Sequence, residues 1–211
     1  MVLLQGRALA AERGWRLLFR DLSFELDAGG GLLLNGPNGS GKTTLIRLLA
    51  GLQPPLAGRL LWQDRPVDED REGHRRRVAY VGHQPGIKPA LTPGEQLAFE
   101  AGLQGVPAGR LAAAEARFHL TRFRDLPTAL LSAGQRRRTA LARLVLSEAS
   151  LWLLDEPATS LDAEGEASLW ALVEEHRAKG GLVVVASHGA VPLAGVARVD
   201  LAQFAPAVAP A

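Results

Sequence analysis

Residues 36–43 read GPNGSGKT, a glycine followed after four residues by Gly-Lys-Thr, directly behind the apolar run LLLN and ahead of a helix-forming stretch. Glycines let consecutive backbone N–H groups turn inward around one point, and a helix starting there aims the positive end of its dipole at the same place. That combination suits phosphate oxygens. Gly36, Pro37, Asn38, Gly39, Ser40 and Gly41 would form the cradle. Lys42 is expected to bridge the β- and γ-phosphates of ATP, the Thr43 hydroxyl to ligate Mg²⁺, and Thr44 to line the same site. The competing reading is a glycine-rich turn that happens to contain a lysine. It fits poorly with the flanks and with the composition, because the chain has only three lysines, Lys42, Lys88 and Lys179.

Far downstream, residues 151–156 read LWLLDE, an apolar strand that ends in two acids. Burying charge without a partner costs several kcal/mol, so the pair calls for a cation or a proton to handle. Asp155 is placed to hold Mg²⁺, often through a water, and Glu156 to accept a proton from an attacking water. A strand that simply ends at a solvated DEP turn is the plainer alternative. His188 follows a second apolar run, LVVVAS, and has the position of a strand-end residue beside the same crevice, where open α/β sheets bind ligands. A lone histidine is more often a surface residue; the spacing after a core strand favours the catalytic reading. His74, His83, His119 and His176 lack such support and are read as structural.

The elements that must position these residues follow from periodicity and punctuation. Strands are expected over Val2–Ala10, Leu22–Leu26, Leu32–Asn35, Arg59–Trp62 and Arg77–Val81, and buried strands over Leu151–Leu154 and Leu182–Ala186. Helices are expected over Lys42–Ala50 with Gly51 as its cap, over two segments between Gly94 and His119, and over Ala133–Ser147 and Ala163–Ala178. Repeated strand–helix–strand order implies an α/β fold with a parallel sheet. The length of 211 residues suits one domain with subdomains. Twenty-four cationic residues against 22 acidic ones support no claim on nucleic acid, and zero cysteines exclude disulfides and thiolate chemistry. No apolar run approaches the roughly 18 residues of a spanning helix, so any membrane link is expected through a partner.

Residues 131–135, LSAGQ, complete a pattern that resembles the ATP-binding-cassette (ABC) ATPases, whose signature is LSGGQ. The order of phosphate loop, Gln84, LSAGQ, LDEP, SLD and histidine carries the resemblance over most of the chain. It implies a P-loop NTPase, RecA-like parallel-sheet core with an antiparallel β subdomain and a small helical subdomain. The core would span about 1–83 and 148–204, the helical subdomain about 84–147, with 205–211 as a tail. It also implies that Gln84 contacts Mg²⁺ and the attacking water. Ser132, Ala133, Gly134 and Gln135 would reach the γ-phosphate held by a second copy in a head-to-tail dimer, and Ser160, Leu161 and Asp162 would form the loop communicating between copies. The physics agrees: Ser132 offers a hydroxyl, Gly134 permits close backbone approach and the helix dipole favours the anion. Where the family stacks an aromatic ring on adenine, this sequence has Arg13, so either its guanidinium plane stacks or Trp15 supplies the ring.

A narrower resemblance lies in GHQPGIKPALTPGEQL together with LSAGQRRRTALARL and LWLLDEPATSLD, which look like the ATP-binding subunits of cytochrome c maturation systems, commonly called haem exporters. It implies haem-related export through integral membrane subunits, at the cytoplasmic face of the inner membrane. In that family the stretch after the glutamine faces the membrane subunit, and here Pro85, Gly86, Pro89 and Pro93 would stiffen it while Lys88 charges it. An ABC ATPase for another cargo shares all these motifs. One that acts on nucleic acid would carry long insertions, but only about ninety residues separate the loop from LSAGQ. A P-loop kinase would not need LSAGQ. The arginine runs 75–77 and 136–138 are read as a solvated face and a helix start.

Overall fold

Two patterns of burial build two sheets with different exposure: the N-terminal strands mix buried with exposed residues, while two later strands are buried throughout. A computed structural model describes residues 2–206, so the last five residues of the expected tail lie outside the described part. The chain divides into two compact units, the first made of Met1–Tyr80, Ala149–Asp155 and His176–Ala211, the second of Val81–Glu148 and Glu156–Glu175.

In the first unit, β1 (Val2–Arg13) and β2 (Arg16–Asp27) form a hairpin, and the antiparallel sheet continues through β4 (Ala57–Trp62) to β5 (Arg65–Pro66) in the order β2-β1-β4-β5. Both hairpin strands run longer than the sequence predicts. Ala8 and Asp21 have positive φ (47° and 57°) and the register shifts near Ala8, so the period of two breaks inside each strand. The expected second strand begins at Leu22, directly after the break at Asp21, whereas the expected first strand runs past Ala8 and stops at Ala10. The five-stranded sheet has the order β6-β7-β8-β3-β9, with β3 (Gly31–Asn35), β6 (Val78–Val81), β7 (Leu151–Asp155), β8 (Leu182–Ala186) and β9 (Ala197–Asp200). Every residue of β7 and β8 is buried. Helix α1 (Lys42–Leu49) follows β3, and its Leu45, Ile46, Leu48 and Leu49 join Leu4, Phe19, Leu32, Leu34, Leu153 and Val184 in one hydrophobic core. The helix ends at Leu49 and Ala50 caps it, one residue before the expected cap; Gly51 follows in the left-handed conformation (φ 66°) that closes such ends.

The short α2 (Arg71–Arg76), whose Asp70 side chain accepts from Gly73 N, and β9 were not legible in the sequence. His74 on α2 is buried, donates to Leu49 O at 2.7 Å and meets Trp62 edge-on; burial holds its pKa below the usual histidine value. His176 stacks on Trp152 with ring centroids 3.9 Å apart, and its pKa is likewise lowered, chiefly by burial.

The second unit is helical: α3 (Pro93–Gln104), α4 (Ala108–Arg117), α5 (Ala133–Leu146) and most of α6 (Ala163–Ala178). The TPGE sequence starts α3 by a capping box, with Thr92 Oγ1 accepting from Glu95 N and Glu95 Oε2 accepting from Thr92 N. The proline-bearing segment ahead of it is anchored, since Thr128 Oγ1 donates to Lys88 O at 2.6 Å and Thr128 N to Leu91 O at 2.9 Å. Arg143 on α5 pairs with Glu100 on α3 at 2.6 Å, and Arg124 pairs with Glu115 on α4 at 2.8 Å.

Candidate functional site

Parallel pairing brings the C-terminal ends of three strands to one edge of the sheet: Leu34 of β3 lies opposite Ala186 of β8, and Asp155 of β7 is opposite the same residue. This is the edge at which open α/β sheets take ligands. The chain leaves β3 into the loop of residues 36–41 and re-enters regular secondary structure at Lys42, the first residue of α1. Gly36 and Gly41 have φ of 134° and 104°, and a Cβ on Gly36 would come within 2.7 Å of Ser40 Oγ. A Cβ on Gly41 would press on Phe19 and Leu18 of β2 at 3.1–3.2 Å. Both glycines are therefore dictated by the path of the loop itself.

Lys42 is only 7% exposed, and Nζ donates to Gly36 O at 2.6 Å and Pro37 O at 3.2 Å. It also lies 3.2 Å from His188 Nε2, beyond the end of β8. Since an ammonium has only donors, the imidazole nitrogen accepts in this contact. Thr43 Oγ1 donates to Asp155 Oδ2 at 2.7 Å, and Asp155 is 2% exposed. The structure thus gathers Lys42, Thr43, Asp155 and His188 at one end of one sheet, although they are drawn from three separate stretches of sequence.

Among the described residues no group of three His, Cys, Asp or Glu side chains could cage a metal. Two hard oxygen donors, Thr43 Oγ1 and Asp155 Oδ2, nevertheless meet within one hydrogen bond, and Ser40 Oγ is buried beside the loop with no hydrogen-bond partner in the described structure. Mg²⁺ prefers such a sparse oxygen set, because it keeps several waters and takes further oxygens from bound phosphates. The donors fit that ion.

The remaining sequence candidates, Arg13 and Trp15 apart, belong to the second unit. Glu156 has φ of 51°, a left-handed backbone that costs a non-glycine residue about 1–3 kcal/mol unless its surroundings impose it. Its carbonyl accepts from Thr159 N at 3.2 Å and from Arg137 Nη2. Ser160 is also left-handed, at φ 68°. Gln84 is exposed on the segment after β6. Ser132 caps α5: its Oγ accepts from Gln135 N at 3.2 Å and Gln135 Oε1 accepts from Ser132 N at 2.9 Å. The Ser132 proton therefore remains available to a ligand. Ala133, the first residue of α5, keeps ordinary negative φ, so nothing in the backbone demands the glycine of LSGGQ there.

Gly134 has a reason that the sequence did not show. A Cβ there would come within 2.6 Å of Ser160 O, so the close approach is to this chain's own SLD loop. Asp162 Oδ1 accepts from Gly165 N at 2.9 Å and pairs with Arg138 at 2.5 Å; the Gly165 N–H and then the guanidinium hold its carboxyl below the usual aspartate range. Arg137 and Arg138, read as part of a helix start, are indeed on α5 but are both buried. Arg13 and Trp15 flank the turn between β1 and β2, both exposed, with Trp15 standing fully in solvent.

Compared with known proteins, residues 19–159 match the model of a family described as ABC transporter. The chain is 46% identical over 204 residues, 95% of its own length and 94% of the relative's, to a protein from Paramagnetospirillum magneticum named cytochrome c biogenesis ATP-binding export protein CcmA. Among solved structures, it superposes with a TM-score of 0.83 on a putative ABC transporter ATP-binding protein from Pyrococcus furiosus, at 20% identity, covering 96% of this chain and 99% of that one. A dimeric ATP-binding cassette in a post-hydrolysis state, bound to ADP and Pi, superposes at 0.76 with 22% identity, covering 89% of this chain and 88% of the other.

Proposed function

This chain belongs to the ABC transporter family as an ATP-hydrolysing subunit, and we propose that it powers an export step of cytochrome c biogenesis, with haem or a haem carrier as the cargo of its membrane partners. The observation that carries the ATPase chemistry is the bond between Thr43 and Asp155 at the end of the phosphate loop. The cargo reading rests on the near full-length likeness to a relative named for cytochrome c biogenesis export. No helix among the described residues is long and apolar enough to cross a membrane, and a peripheral place at the cytoplasmic face, through integral membrane subunits, agrees with that.

In this reading the backbone of residues 36–41 surrounds the phosphates, and Lys42 exchanges the carbonyls of Gly36 and Pro37 for phosphate oxygens. Thr43 and Asp155 would hold Mg²⁺, which when bound neutralises charge on the phosphate oxygens. Glu156 accepts the proton of the attacking water, Gln84 orients that water, and His188, with a nitrogen able to accept or donate, contacts the terminal phosphate. The adenine stacks at the exposed tip formed by Arg13 and Trp15.

Ser132, Ala133, Gly134 and Gln135 act on ATP held by a second copy. Ser132 has a free hydroxyl proton at a helix start, where an anion is favoured. Asp162 with Ser160 and Leu161 faces the same boundary between copies. Mixing two defective chains tests the shared site. A Ser132→Arg chain and a Lys42→Ala chain should each be inactive alone, and ATPase activity should return when they are combined, since the mixed dimer keeps one intact loop and one intact signature. A Ser132→Arg chain that hydrolyses ATP normally at every protein concentration would sink the two-copy mechanism.

The cargo reading has its own test. A strain whose only copy of this chain carries Lys42→Ala should lose covalently haem-loaded c-type cytochrome to background levels, with the apocytochromes still made. Normal loading would assign the subunit to another cargo and leave its ATPase chemistry untouched.

A further inference from the structure

Arg137 is buried, with 3% of its surface exposed, on α5 two residues after the last residue of LSAGQ. Its guanidinium donates from Nε to Pro157 O at 2.9 Å, from Nη1 to Gly82 O at 2.7 Å and from Nη2 to Glu156 O at 2.5 Å. These carbonyls come from two separate stretches of chain, one just ahead of Gln84 and the other containing Glu156. A planar fork of donors is what such an arrangement needs; a lysine ammonium is a point charge and cannot span the same acceptors.

The position of the acceptors gives the contact its meaning. Glu156 has the left-handed φ of 51°, which points its carbonyl and its side chain in directions that an extended continuation of β7 would not give. The oxygen that takes the Arg137 bond is the carbonyl of that same residue, and Thr159 N bonds it as well. Next along the chain, Pro157 O takes the second bond. An arginine present only to fill space would gain nothing from gripping the turn on both consecutive carbonyls.

We propose that Arg137 is a positioning residue for ATP hydrolysis: it holds the left-handed turn at Glu156, and with it the aim of the Glu156 carboxylate, while tying the segment before Gln84 to the same guanidinium. It acts through Glu156, so the proposal rests on the reading of Glu156 as the general base. Because Arg137 sits on the helix that begins with the signature, the direction of the base is set from the signature side of the same chain.

The test uses the purified full-length chain with Arg137→Gln, Arg137→Lys and Arg137→Met. Misplacing a catalytic group by about 1 Å costs roughly 100-fold, so kcat should fall about 10- to 100-fold in the Met variant while the affinity for ATP stays within about twofold. Gln, which keeps two donors, and Lys, which keeps the charge, should recover part of the rate. In a Glu156→Gln background, adding Arg137→Gln should change the residual single-turnover rate by less than about twofold, because what Arg137 aims has been removed. A native kcat in Arg137→Gln overturns the proposal if the Met variant also has it, or if the Met variant fails to fold. So does an equal loss with and without Glu156. Should Glu156→Gln alone hydrolyse ATP at the native rate, the reading of the base fails, a result distinct from an inactive Glu156→Gln beside fully active Arg137 variants.

Discussion

A Glu156→Gln protein binds ATP normally and hydrolyses almost none of it. The amide keeps the shape and the hydrogen-bonding reach of the carboxylate but cannot take a proton from water, and general-base catalysis is worth about 100- to 10,000-fold. The substitution leaves in place the backbone bonds that shape the turn, since Thr159 N and Arg137 donate to the carbonyl of residue 156, which glutamine keeps. Nothing in the first unit is altered, where Lys42 and Thr43 start α1 under the phosphate loop and Thr43 bonds to Asp155. Steady-state phosphate release should therefore drop by two to four powers of ten, at about that general-base magnitude, while titration with a fluorescent ATP analogue gives an unchanged dissociation constant. With binding kept and turnover blocked, size-exclusion chromatography in ATP should show a dimer that the unmodified chain populates only briefly. Native-rate hydrolysis by this variant would remove Glu156 from the chemistry.

Lys42→Ala moves the effect to the earlier step. The ammonium is almost wholly withdrawn from water and is held in place by Gly36 O and Pro37 O, beside His188 Nε2. It is thus already desolvated before ATP arrives, and the exchange of neutral carbonyls for phosphate oxygens is a net gain. A hydrogen bond to a charged group contributes about 1.5–3 kcal/mol, which corresponds to a loss of roughly 10- to 100-fold in ATP affinity. The alanine variant also leaves the Gly36 and Pro37 carbonyls without this donor, which loosens the cradle. The same titration should show the weakened binding directly, and an unchanged dissociation constant would take the loop out of the site.

Local chemistry was the legible part of the sequence. The loop from Gly36 to Thr43 declares itself by its glycines and its lysine, and α6 and β8 have the predicted boundaries because each is a single uninterrupted pattern between turn residues. Interruption hid part of what was missed: left-handed Asp21 separates the expected strand from the first half of β2, which was not read as strand. β9 is only four residues long, and the alternation of Ala197 and Val199 with Arg198 and Asp200 is too short to announce a strand. The arginines after LSAGQ were illegible for a different reason. Solvated and buried arginines look alike in a sequence, and what makes burial tolerable for Arg137 is a set of carbonyls at residues 82, 156 and 157, while Arg138 has Phe118 O and the Asp162 carboxylate. Gly134 teaches the same lesson, since its neighbour Ser160 O lies in a distant loop.

The strand order β6-β7-β8-β3-β9 also dictates when, during synthesis, the molecule becomes able to bind its substrate. β3, which launches the phosphate loop, has β8 and β9 as its ladder partners, and these are residues 182–186 and 197–200. The antiparallel strands pair with near neighbours and can zip up as they leave the ribosome, whereas β3 must wait, unflanked, through most of translation. Asp155, the partner of Thr43, likewise emerges more than a hundred residues after it. A nascent chain therefore carries a complete GPNGSGKT motif long before it has a nucleotide site, and a ribosome stalled upstream of β8 releases a fragment that cannot capture ATP.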